Sequence, residues 1–247
     1  MFSVLVAAGQ AVLTVFAAAS LHGAFDELGK QFAAAHPGVS VRFNYDGSQV
    51  LELQLAQGAT ADVFASADQR WMDAARREKL VTTMTPFATN SLAIITAPRS
   101  SVHTAADLAH AGTKVLLCAD AVPCGRYARE LLVKMDDEPA FGSGFSAAVL
   151  RNVVSDEQNV EEVFAKIVLG AADCGIVYRS DVASRADAAS SGVRVINLPP
   201  ESQPSIVYPI APVSGSSSPE LAAAFVKFVL SAAAQTVLRR FGFGAAP

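Results

Sequence analysis

Short apolar runs alternate with amphipathic segments along almost the whole chain, which restricts it to α/β architectures with mixed, mainly parallel sheets flanked by helices. The runs at 13–17, 39–45, 63–66, 91–96, 114–119, 175–178, 193–197 and 206–212 read as strands. Helices are predicted at 21–35, 49–57, 68–78, 105–109, 125–134, 160–169, 219–230 and 232–241. Within 21–35, Leu21, Ala24, Phe25, Leu28 and Phe32 fall on one stripe that can pack on a sheet, and Pro37 with Gly38 ends the helix. The last helices lie far in sequence from the first strands, yet two sheets of comparable size need both. The expected solution has two lobes, 1–90 plus 208–247 and 91–207, with strands near 90–96 and 206–212 crossing between them as hinges. Ligand would sit in the cleft between the lobes.

Composition narrows the function. With 247 residues, 51% apolar and 17% charged, the chain can bury substantial cores. Net charge is −4, and the densest basic cluster is only Arg76, Arg77 and Lys79, so the electrostatic footprint of a nucleic-acid partner is missing. The apolar stretch at 2–20 is broken by Gly9, Gln10 and Thr14, and its second half reads as a buried strand rather than a bilayer span. Residues 2–8 resemble the apolar part of an export signal and 8–11 a small-residue cleavage site, but no basic residue precedes them. Cys118, Cys124 and Cys174 lack metal-ligand spacing and read as buried thiols; a Cys118 to Cys124 disulfide would require an oxidising compartment. His22, His36, His103 and His110 are not spaced as ligands, and the Gly142-Ser143-Gly144 segment is not a nucleophile elbow, so no enzyme is predicted.

Four cation-poor segments would each open a helix with its backbone donors exposed: AAASL (17–21), DGSQV (46–50), VPCGRYA (122–128) and DEQNVEEV (156–163). The first N–H groups of a helix are unpaired and its N-terminus carries about half a positive charge, so several such ends together make an anion site. The predicted ligand is a small oxyanion.

The blocks TVFAAASL (14–21), LAQGATADVFASADQRWMD (55–73), NSLAIITAP (90–98), VPCGRYARELL (122–132), GIVYRSDV (175–182) and YPIAPV (208–213) resemble the periplasmic molybdate-binding proteins, the substrate receptors of molybdate ABC importers. The blocks keep a consistent order over nearly the whole chain. The resemblance implies a two-lobed periplasmic-binding-protein fold (type II-like) that binds molybdate or tungstate without catalysis or cofactor. It further implies delivery to a membrane permease by a freely diffusing, monomeric, periplasmic receptor.

By residue type alone, Ser20 and Ser48 are either plain helix-start residues or hydroxyl donors to an oxyanion, with Gly47 allowing close backbone approach. The resemblance maps both onto the family's ligand-binding serines. It also assigns main-chain roles to Cys124, where the family often has alanine, and to Val160, and it turns Tyr178, otherwise an ordinary strand tyrosine, into a phenol donor. One departure is Asp46-Gly47-Ser48, where relatives commonly carry a small, serine-rich segment. Asp46 either stabilises its own turn or accepts a proton from hydrogen phosphate, which keeps phosphate or sulfate open as ligands. A different class, the effector-sensing fragment of a transcription regulator, shares such folds.

Overall fold

The structure is a computed structural model that describes residues 11–185 and 192–247. The export-signal reading of residues 2–8 therefore lies outside the described residues. Two five-stranded sheets organise the chain. The first contains β1 (Ala11–Ala18), β2 (Val39–Asp46), β3 (Val63–Ala65), β4 (Thr85–Asn90) and β10 (Ile206–Pro212), in the order β2-β1-β3-β10-β4. The second contains β5 (Leu92–Thr96), β6 (Val115–Cys118), β7 (Val153–Glu157), β8 (Cys174–Tyr178) and β9 (Arg194–Asn197), in the order β7-β6-β8-β5-β9.

Both sheets are mixed. In each, two pairings are parallel, around β1 and around β6, and two are antiparallel, around β10 and around β5. The antiparallel pairings come from the connections between sheets. Ser91 alone separates β4 from β5, and residues 198–205 lead β9 back to β10, so these strands enter against the direction set by the helical crossovers.

The helices are α1 (His22–Ala35), α2 (Ser48–Ala56), α3 (Gln69–Arg77), α4 (Pro123–Met135), α5 (Phe145–Arg151), α6 (Val160–Val168), α7 (Arg179–Ala183), α8 (Pro219–Val229) and α9 (Ala232–Arg240). The stripe of α1 buries Ala24, Phe25, Leu28 and Phe32 against β2 and α8, where Phe25 and Phe32 meet the Phe225 ring edge-on at 6.2 and 5.1 Å. Burying each of these large side chains contributes about 1.5–3 kcal/mol. The expected helix at 105–109 is a 3-10 turn, Ala105–Ala109. Strands β4 and β7 and helices α5 and α7 were not expected from the sequence. β4 and β7 are edge strands, where Pro86 and the polar residues of β7 are tolerated because one side of the strand needs no partner.

Candidate functional site

All four donor-bearing segments open helical turns that converge on one small pocket between the two sheets. Its lining includes Ser20, Ser48, Cys124, Val160 and Tyr178, so the structure brings all five sequence-predicted residues together. Among the described residues, no lysine or arginine lines it.

Each residue is presented by local structure. Ser20 sits in a 3-10 turn, Ala19–Leu21, that links β1 to α1, and is 4% exposed. Ser48 is the first residue of α2, directly after Gly47, which caps the helix in an extended conformation. A side chain on Gly47 would come within 2.7 Å of the Gln158 carbonyl, so glycine is what lets the α2 start approach the loop before α6. Pro123 opens α4, its fixed φ suiting the first helical position, and the first amide to return to the capping residue is Arg126 N–H, 3.0 Å from Val122 O. Asn159 caps α6, its Oδ1 accepting the Glu162 N–H at 3.1 Å. The N–H groups of Ser48, Cys124 and Val160 all fall in first turns that lack intrahelical acceptors.

The side chains add polarity of one sign. Ala67 N–H donates to Ser48 Oγ at 2.9 Å, so the serine accepts from the backbone and keeps its own hydrogen for another acceptor. Cys124 directs its thiol at Ile176 O, 3.6 Å away, and burial pushes that thiol well up, so it is neutral and only its amide serves the cavity. Among the described residues all three cysteines are free and buried, so Cys118 and Cys124 are not joined. Tyr178, 1% exposed at the end of β8, has a phenolic oxygen with no hydrogen-bond partner among the described residues. Its N–H donates to Asp181 Oδ2 at 2.8 Å, and burial pushes that carboxyl up to about 7 against the lowering effect of this bond. A buried hydroxyl without a partner costs about 1–3 kcal/mol, so the phenol holds an unused donor at the edge of the pocket.

Asp46 also lines the cavity, but its Oδ1 accepts the Gly47 N–H at 2.7 Å and the Asn159 amide at 3.4 Å. The carboxylate thus braces its own turn against α6. Sequence reasoning missed the residues behind Ser20: Tyr208 lies 2.9 Å from Ser20 Oγ, and Asn90 donates to Tyr208 at 3.1 Å.

Several contacts fasten the two sides over the cavity. Trp71 Nε1 donates to Ala121 O at 2.9 Å, Gln49 Nε2 to Gln158 O at 2.8 Å, and Arg126 meets the buried Asp68 at 3.2 Å. A larger, more open cleft lies beside the pocket, but Asp26, Glu27, Glu161 and Asp181 face it together with Lys30 and Arg185. Its several carboxylates make it a poor host for a dianion, whereas the small pocket has one carboxylate, Asp46, which is engaged by Gly47 and Asn159, beside its helix-start amides and hydroxyls.

Comparison with known proteins agrees with this geometry. Residues 13–244 match the family described as bacterial extracellular solute-binding protein. The molybdate-binding protein ModA of Mycobacterium tuberculosis is 40% identical over 238 residues, 95% of this chain and 85% of that protein. The periplasmic molybdate-binding protein of Azotobacter vinelandii superposes with a TM-score of 0.79 at 18% identity, covering 95% of this chain and 100% of that one. The sulfate-binding protein SubI of Mycobacterium tuberculosis gives 0.81 at 20% identity over 94% of this chain and 86% of its own. The last two likenesses establish the fold.

Proposed function

The chain belongs to the bacterial extracellular solute-binding protein family, a family of receptors rather than enzymes, and from that premise we propose that it captures molybdate or tungstate for an ABC importer. The observation that carries the proposal is a buried cavity free of lysine and arginine, into which helix-start amides and the phenol of Tyr178 converge. Molybdate is fully deprotonated at neutral pH, so each of its oxygens accepts, and a site that presents N–H and O–H donors can satisfy them while spreading the charge over several helix ends. Ser20, Ser48 and Tyr178 supply hydroxyl hydrogens, and Cys124 and Val160 supply main-chain amides. No cofactor enters this reading.

The two sheets then act as two lobes, 1–90 plus 208–247 and 91–207, hinged at the strands near 90–96 and 206–212. Closure buries the ion and creates the shape read by a membrane permease, with the receptor working as a monomer in the periplasm. Sulfate, with the same donors but a smaller radius, leaves hydrogen bonds unmade in a cavity built for the larger ion.

Calorimetric titration of anion-free protein tests this. One-to-one binding of molybdate and tungstate, with sulfate and phosphate at least about a hundredfold weaker, is the expected result. A preference for sulfate or phosphate would overturn the assignment. The chain's single tryptophan gives a second readout, because Trp71 bonds across the cleft and its emission should change with saturation. Asp46→Ala is expected to leave the ranking of the four anions unchanged, since the carboxylate accepts from Gly47 and Asn159. If the variant reverses the order of phosphate and molybdate, Asp46 is a selectivity element.

A further inference from the structure

We infer that Asn90 and Tyr208 are positioning residues of this site, forming a directed hydrogen-bond relay that commits the Ser20 hydroxyl to donate into the cavity. The inference rests on the oxyanion reading and adds two residues to it. Asn90 closes β4 beside the crossing into the second sheet. Its Oδ1 accepts the Ser91 N–H at 2.9 Å, which fixes the side-chain amide so that the NH2 group points the other way. Both of that group's hydrogens are then used, one on Ser180 Oγ at 2.8 Å and one on Tyr208 Oη at 3.1 Å.

Tyr208 is fully buried in β10, next to a break in register between Tyr208 and Pro209, and bulges of this kind re-aim side chains. Its ring is held edge-on by Phe87, Tyr178 and Phe243 at 6.3, 5.9 and 5.4 Å. The phenolic oxygen therefore accepts from Asn90, and its own hydrogen must find an acceptor. Among the described residues Ser20 Oγ, at 2.9 Å, is the acceptor in reach. If Ser20 donated instead, the Tyr208 hydrogen would be buried without a partner, a costly arrangement. The direction is thus Asn90 to Tyr208 to Ser20, which leaves the serine hydrogen free for the cavity that Ser20 lines. Successive donors polarise one another, so the relay makes Ser20 a better donor than an isolated serine. Ser48 obtains the same polarity from Ala67 N–H.

The test is a double-mutant cycle by calorimetry with molybdate. Tyr208→Phe in the otherwise unchanged protein is expected to weaken binding about fivefold, and in a Ser20→Ala background to change it less than about twofold. A second variant reads the direction. In Asn90→Asp the carboxylate accepts the Tyr208 hydrogen, the phenol then draws the hydrogen of Ser20, and affinity should fall more than in Tyr208→Phe. Adding Tyr208→Phe to Asn90→Asp should restore part of that loss, an outcome that mere loosening of the fold does not produce. Tight binding by the unmutated protein with equal Tyr208→Phe losses in both backgrounds and no restoration overturns the relay alone. Silence of the unmutated protein toward molybdate, tungstate, sulfate and phosphate overturns the relay together with the oxyanion reading.

Discussion

Gly125→Ala is expected to lower molybdate affinity by about a hundredfold or more and to reduce thermal stability, although alanine is the better helix former. A Cβ at this position would stand 2.1 Å from Ala119 O and 2.3 Å from Cys118 O, where ordinary contact begins at 3.4 Å. Both obstacles are backbone atoms, at the end of β6 and in the turn after it, and neither can rotate aside. The start of α4 must therefore retreat by about 1 Å, and overpacking of this kind costs about 1–3 kcal/mol. The retreat carries the Cys124 and Gly125 amides away from the cavity. Hydrogen bonds to a charged group are worth about 1.5–3 kcal/mol each, so misplacing this helix end weakens binding more than it weakens the fold. Titration and thermal unfolding of the same preparation check the two effects. Affinity within threefold of the unmutated protein would remove the α4 start from the site.

The same glycine illustrates what the sequence makes legible. The motif VPCGRYA announces a helix start because Pro123 suits the first position and Gly125 permits close approach, both local properties of residue type. Spacing of apolar residues likewise fixes α1, α6 and the central strands. What escapes is set by distant partners. β4 carries a proline and little alternation and is a strand only because β10, more than a hundred residues later, pairs with it. Ser20 and Tyr208 are 188 positions apart, and nothing in either neighbourhood signals that a phenol stands behind the serine. The five proposed ligand-binding residues come from family resemblance rather than from residue chemistry. Val160 and Cys124 in particular bring only amides, which every residue but proline possesses, so residue type could not single them out.

Tyr178→Phe is expected to move binding and empty closure in opposite directions. The phenol is buried without a partner among the described residues, so under the proposed hinge closure, closing without an anion carries the cost of dehydrating a hydroxyl, about 1–3 kcal/mol. On that proposal, water solvates it when the lobes are open, and it donates a charge-assisted bond when an oxyanion is bound. The hydroxyl therefore penalises closure around nothing and rewards closure around the right ion. Removing it should weaken molybdate binding about 10- to 100-fold while raising the closed fraction of the anion-free protein. Trp71, bonded to Ala121 O across the cleft, reports the second effect: anion-free Tyr178→Phe should emit more like the saturated protein than the anion-free parent does. If emission of the empty variant is unchanged while affinity falls, the phenol holds the ion without gating closure. If affinity is unchanged, it does not touch the ion at all.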